Sequence, residues 1–482
     1  MADESGYPSR PYAWTVVAIL IATAVLSYTD RQVLSLLVDP IRGELGISDA
    51  QVSLLLGTAF AVVYGIAGIP LGLLADRTSR RNLIFTGVLV WSCSTLACGL
   101  SHSFGQLFAA RIGVGLGEAV LSPAAISLIS DYFPPARRGT AVGFFLSGIA
   151  MGIGAAILIG GGVLHAVELG VLAGTPLASQ PAWRLVLLLI GAPGLLWALA
   201  ILVIREPVRR ANESAPDTPS REPESTNVES SASVAASTSV GNRGSSPTFA
   251  AVPAANAAAA GATWLSTPWA RVIPIYLVVA TASLVDNAVG AWVPSLLIRN
   301  FAKDPAQVGI QLGFLLTAGF GGGVLLGGWL ADRAGARGGW PYKLGVCLAS
   351  SLLILPVSFL INVRGFNVVL LSVPAYFALS GIVTACGFSA ILDAVPNRSR
   401  GLAMAISFFL NVAIGASAGP SAVTAASDHV FGAAAGLGPA ITLTVACGYA
   451  LAATTLVITL FWLKTKSASA VADSAHSMHN TN

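Results

Sequence analysis

Apolar runs of about twenty residues recur twelve times along this chain, each long enough to cross a bilayer as a helix. Nothing else in it constrains the fold as strongly. Lipid offers the backbone no hydrogen-bond partner, so a spanning segment must be a helix or a strand of a closed barrel, and runs of this length suit helices. The spans fall at residues 13–38, 51–74, 82–101, 105–130, 139–165 and 183–204, then at 270–298, 307–331, 342–362, 367–392, 401–426 and 438–463. Only 10% of the 482 residues are charged and the mean hydropathy is +0.76, too apolar for a soluble chain of this size. The expected fold is all-α and integral to the membrane, with twelve transmembrane helices in two six-helix pseudo-symmetric bundles around a central cavity.

Between the sixth and seventh spans the composition changes. Residues 205–268 are rich in Ser, Pro, Ala and Glu and lack the apolar content to build a core. The expected organisation is an N-terminal bundle over 1–204, a disordered linker over 205–268, a C-terminal bundle over 269–466 and a tail over 467–482. Basic residues set the orientation. With the N-terminus inside, 19 of the 26 Lys and Arg residues face the cytoplasm and five face out, namely Arg42, Arg184, Arg299, Lys303 and Arg364. Both termini and the linker are therefore expected in the cytoplasm, and the short outer loops suit a bacterial inner membrane.

The small net charge of +4 gives no reason to invoke nucleic acid. The five cysteines all lie inside apolar runs with no CxxC spacing, so buried free thiols are expected. Met1–Arg10 is polar and the run after it is too long for a signal peptide, so no cleavable signal is expected. No nucleophile elbow or metal motif is present, so neither an enzyme nor a cofactor is expected.

The two halves repeat. A shift of 256 residues lays GLLADRTSRR (72–81) on GWLADRAGAR (328–337), Asp30 on Asp286 and Gln51 on Gln307. A shift of 262 lays DYFPPARRGTAVG (131–143) on DAVPNRSRGLAMA (393–405). Such parallel repeats mark transporters whose substrate site lies between the halves. The loop after the second span resembles the signature of the major facilitator superfamily, through Gly72, Leu74, Ala75, Asp76, Arg77, Arg80 and Arg81. Ser79 departs from the pattern where the second copy keeps Gly335. The resemblance implies a gating latch that includes Gly72, Asp76, Arg77 and Arg80, with Asp332 and Arg333 in the second copy.

Within that superfamily, SYTDRQVL (27–34) and RIGVGLGEAVLSPAA (111–125) resemble the Spinster-like branch, which pairs Asp-Arg in the first helix with Arg and Glu in the fourth. The match carries over to Asp30, Arg31, Arg111 and Glu118. An Asp-Arg in the first helix is also similar to the organic-anion and sugar-acid symporters. Each such charge at a helix centre costs about 2.5–3.5 kcal/mol on insertion scales, so pairing or use must offset it. Arg111 and Glu118 are seven apart, which puts them on one face about 10 Å apart along the axis. Two acids and two bases are expected to form a neutral cluster that protonation switches: Asp30 and Glu118 for proton coupling, Arg31 and Arg111 as substrate or charge partners. Asp286 joins them as the repeat mate of Asp30, either lining the cavity or standing as a capped structural acid.

The expected function is secondary transport of a small organic or amphipathic solute by alternating access, coupled to protons and performed by a monomer in the lipid bilayer. Proton symport of organic anions or sugar acids, uncoupled facilitation and a transport-dead sensor stand as alternatives.

Overall fold

The computed structural model describes residues 7–171, 173–207, 269–396, 400–432 and 436–479. The expected linker falls outside the described residues, apart from its first three. Twelve membrane helices follow one another, six in each half. In the first half α1 is Arg10–Leu36, α2 runs from Asp49 to Arg77, α3 is Arg80–Gly99, α4 is Phe104–Tyr132, α5 is Pro135–Glu168 and α6 is Ala182–Ile201. In the second, α7 is Trp269–Phe301, α8 Pro305–Gly338, α9 Trp340–Leu360, α10 Phe366–Ala394, α11 runs from Arg400 to Phe431 and α12 is Leu437–His479. Eleven of these are long and apolar enough to span a membrane, counted over the described residues alone. In the remaining one, α5, several side chains lie outside the description, and its Gly154–Glu168 stretch is apolar. The last helix runs to His479, so the segment expected as a tail from residue 467 continues α12.

Local sequence sets these ends. Ser48 opens α2 with a capping box, its hydroxyl taking the Gln51 N–H while the Gln51 side chain takes the Ser48 N–H. Its repeat mate Asp304 caps α8, accepting from the Ala306 and Gln307 N–H groups ahead of Pro305 at the first helical position. The shift of 256 thus carries the capping site as well as the span.

Small residues let the halves meet. A Cβ on Gly161 would sit 2.7 Å from the Ile310 nitrogen, and one on Gly154 2.3 Å from that of Thr317, so α5 and α8 pack backbone to backbone there. A Cβ on Gly57 of α2 would lie 2.6 Å from the Ala416 carbonyl of α11. Both helices widen at that meeting, α2 over Leu54–Thr58 and α11 over Asn411–Ala416. Such wide turns release backbone carbonyls from the helix ladder and gather at functional sites. All these approaches lie toward the end of the bundles that is poor in basic residues.

Candidate functional site

The charges of α1 and α4 meet inside the first half. Asp30, Arg111 and Glu118 are each 1% exposed. Arg31 Nη2 donates to Glu118 Oε2 at 2.8 Å, and its guanidinium lies 4.1 Å from the ring of Phe60, 4.8 Å from Tyr28 and 5.2 Å from Tyr64. An aromatic box of this kind stabilises a desolvated cation by about 2 kcal/mol or more. Arg111 is held by backbone instead: its Nε donates to the Leu55 carbonyl at 3.2 Å and its Nη1 to the Asp30 carbonyl at 3.4 Å. Leu55 lies in the wide turn of α2, which leaves that oxygen free to accept.

The expected four-membered cluster is thus split. One ion pair forms, Arg31 with Glu118, while no hydrogen bond of good geometry reaches either oxygen of the Asp30 carboxyl. Adjacent residues point about 100° apart around a helix, so Asp30 and Arg31 cannot both aim at the line that Arg111 and Glu118 define. The helices also loosen here. α1 tightens over Val33–Leu36 just beyond the dipeptide, and α4 breaks its regular run between Glu118 and Leu121.

The second half treats its acid differently. Asp286 accepts from the Tyr376 hydroxyl at 2.7 Å and from Ser380 Oγ at 2.6 and 2.7 Å, and Tyr449 donates to Ser380 at 2.9 Å. This is a capped acid, tied to α10 and α12. Its neighbour Asn287 lines a recess between the halves of about 20 Å³, room for about one water, together with Arg31, Gln32, Ser35, Phe60 and Pro420. Arg31 and Asn287 are repeat mates and face this space from opposite bundles.

Beyond the recess the basic-poor end is clasped. Arg299 of α7 donates through Nε to Asp39 at 2.6 Å and through both terminal nitrogens to Asp49 at 2.9 Å, and Arg42 reaches Asp49 at 3.0 Å. Ser53 and Thr424 share a hydrogen bond at 3.1 Å just inside. Glu44, on the short helix Val38–Leu45, accepts from Trp183 at 2.5 Å and from Arg184 at 2.8 Å. Partial burial works to raise the Glu44 carboxyl, and those donors outweigh it, holding the group below the usual carboxylate range.

At the other end the described signature residues make separate contacts. Arg80 is buried within its own half, where it donates to Asp131, to Glu206 at 2.8 Å and to the Ser127 carbonyl at 3.1 Å. Gly72 packs beside Pro123 and Arg77 is exposed, while the Asp76 side chain lies outside the description. Asp332 and Arg333 are both exposed, and the Arg333 guanidinium stacks 3.8 Å from Trp329. The second half has its own version of the Arg80 tie, with Lys343 donating to Asp393 at 2.5 Å and to Ser389 at 2.8 Å.

Several of these groups escaped sequence reasoning. Tyr376 and Ser380 are four apart on α10, a polar line in an apolar run that was there to be read. The clasp acids carry no comparable signal, because their meeting with Arg299 depends on how the two bundles pack. Trp91 and Trp292, one in each half, are both fully buried.

Twelve helices in two repeat-related halves, joined at one end over buried charge, define a secondary transporter of the membrane and not an enzyme. The Major Facilitator Superfamily model matches residues 20–420, and the chain belongs to that family. It is 29% identical over 456 residues to an MFS-type efflux pump of Mycolicibacterium smegmatis, a match covering 92% of this chain and 91% of that one. A probable L-galactonate transporter of Escherichia coli is 37% identical over 139 residues, spanning only 29% of this chain and 30% of its own. Among solved structures, a bacterial homologue of the human lysosomal transporter Spinster superposes with a TM-score of 0.67 in its inward-facing, unoccupied form. That structure is 26% identical, with coverage of 94% of this chain and 96% of the other.

Proposed function

We propose that this transporter carries an organic solute with an acidic group, small or amphipathic, and couples its movement to protons through Asp30 and Glu118. One observation carries the reading: a carboxyl wholly enclosed in the first bundle with no protein hydrogen bond of good geometry, one residue from an arginine paired to a second buried carboxylate. A lone buried carboxyl is most cheaply held neutral, and a paired one charged, so the two acids are prepared for opposite protonation states. Protonating Glu118 releases Arg31 toward the recess, where it can take the acidic group of the solute. Asn287 meets the solute from the other half. The capped Asp286 serves as an anchor of the second bundle and does not turn over protons.

The basic-rich end is cytoplasmic in this reading, and both termini lie there. The Arg299 clasp then closes the outer side, which agrees with the inward-facing likeness. Gly72, Asp76, Arg77, Arg80, Asp332 and Arg333 form the opposite gate, engaging when the cytoplasmic side closes. The working unit is the monomer.

Reconstitution in liposomes loaded with a pH-sensitive dye tests this. A panel of organic acids and lysolipids is offered to the wild type, Asp30→Asn and Glu118→Gln. Proton movement that requires a solute and disappears in both variants is the expected result. Solute flux without protons, unchanged in the variants, would make the chain a facilitator.

A further inference from the structure

Eleven buried side-chain polar atoms lack a hydrogen-bond partner among the described residues, and eight of them belong to α1, α3 and α4. They are both Asp30 oxygens, Arg31 Nε, Trp91 Nε1, Ser92 Oγ, Thr95 Oγ1, Arg111 Nη2 and Glu118 Oε1. Unsatisfied buried polar atoms are uncommon in native proteins, and so many within one bundle need a physical partner. On α3, Trp91, Thr95 and Cys98 follow the spacing of one helix face. Thr95 lies alongside the Asp30 carboxyl, and Cys98 faces Asp30 and Arg111.

The donor and acceptor types identify the ligand. Arg111 Nη2 and Trp91 Nε1 only donate, the Asp30 carboxyl accepts in either protonation state, and Thr95 does both. A metal cation would be repelled by two guanidinium groups, and an anion would meet the Glu118 carboxylate and the acceptor oxygens of Asp30. Water fits, because it donates and accepts and typically makes about three hydrogen bonds when buried. We propose that the space between α1, α3 and α4 is an internal hydration site, in which water bridges Asp30, Thr95 and the free nitrogen of Arg111. Thr95 is its positioning residue and links Asp30 to the Arg31–Glu118 pair as one proton-handling unit.

Every charge around the site is accounted for. Arg111 and Glu118 approach from α4, Cys98 from α3 and Arg31 from α1, with Tyr28 and Tyr64 at the border of the pair. In α5 and α6, residues 139–164 and 185–201 contain no titratable side chain, and Arg184 at the start of α6 is tied to Glu44 and to the Gly99 carbonyl. The hydration site rests on the unpartnered buried atoms of α1, α3 and α4, while the role of Thr95 rests on the proton-coupled reading.

Pulsed radiolytic footprinting of the wild-type protein tests the water directly, since hydroxyl radicals formed from bound water oxidise the side chains beside it. Trp91 and Cys98 are as buried as Trp292 and Cys347 of the second half, all 0–1% exposed, which makes the latter pair internal controls. Oxidation of Trp91 and Cys98 several-fold faster than that of the controls is expected, and equal rates would overturn the site. The role of Thr95 is read from the pH profile of transport. Thr95→Val keeps the shape but removes the hydroxyl, and should move the midpoint upward by about one pH unit, a tenfold change in proton affinity. Thr95→Ser should restore it. A Val profile that superimposes on the wild type, or a Ser variant that behaves as Val, would overturn the positioning role. Asp30→Asn is the separate gauge: if it keeps the wild-type profile, the coupling reading fails, and footprinting still decides the hydration site.

Discussion

Asp30 and Asp286 occupy the same position in two copies of one repeat, and the fold treats them in opposite ways. Asp286 accepts hydrogen bonds from two hydroxyls, backed by a third, which join α7 to α10 and α12. Asp30 is enclosed as completely, yet both its oxygens lack a partner of good geometry. A satisfied buried carboxylate binds its bundle together. An unsatisfied one is costly to keep charged and available for exchange. Duplication supplied two equivalent acids, and we read one as retained for structure and the other for transport. The neighbouring position follows the same division, since Arg31 is a half-buried cation in an aromatic box and its mate Asn287 is a neutral amide.

The largest effect should come from breaking the ion pair in the first half. Glu118→Gln leaves Arg31 buried without a counter-charge, which typically costs about 3–5 kcal/mol. Thermal unfolding in detergent should show a large drop, and proton flux should vanish. Adding Arg31→Gln should recover most of the stability but none of the transport. Unchanged stability in Glu118→Gln would mean that the aromatic box suffices to hold the cation.

A crossed pair of variants puts the comparison itself at risk. Asp286→Asn weakens a charge-assisted network and should cost about 1.5–3 kcal/mol while leaving coupling in place. Asp30→Asn should be neutral or stabilising and should abolish coupling. If the two variants lose stability and coupling in equal measure, the division of labour between the halves is wrong.

A smaller effect is expected where the halves meet. Arg299 is about one-quarter exposed, so its pairs with Asp39 and Asp49 are partly screened and should weaken as salt rises. In Arg299→Gln the clasped end should open more often, increasing maleimide labelling of a cysteine placed at Ser53. Labelling that stays at the wild-type rate would show that the glycine contacts of α5 with α8 hold that end shut unaided.

How far these features could be read in advance depended on the range of the interaction that makes them. The twelve spans, the repeat and the shared face of Arg111 and Glu118 are local periodicities, visible along the chain. The split of the four charges was not visible, because it depends on which way Asp30 turns once α1 meets α3 and α4, and on a wide turn that frees the Leu55 carbonyl. Arg80 is instructive in the same way. Its place in the loop motif gave no sign of the ion pairs it makes, which reach Asp131 at the end of α4 and Glu206 beyond α6. Those partners lie 51 and 126 residues away in sequence, and only the packing of the bundle brings them together.

That same tie supplies the smallest predicted effect and a last contrast between the halves. Glu206 stands outside the membrane spans, half-buried. Burial works to raise its carboxyl, and the Arg81 N–H, the Arg80 guanidinium and the Ser79 hydroxyl overcome this and hold it below the usual carboxylate range. A group depressed in the folded state adds stability that is complete above its unfolded value, about 4.3 for glutamate, and lost as pH falls through the folded value. The wild type should therefore lose a small part of its stability below about pH 4.3, of the order of 1–2 °C in Tm. Glu206→Gln should remove that part at neutral pH and flatten the acid dependence. The corresponding tie of the second half, Lys343 with Asp393 and Ser389, contains one carboxylate where the first has two. Asp393→Asn should therefore leave the acid-dependent step attributed to Glu206 in place. If Asp393→Asn removes the step and Glu206→Gln does not, the acid-sensitive tie belongs to the second half.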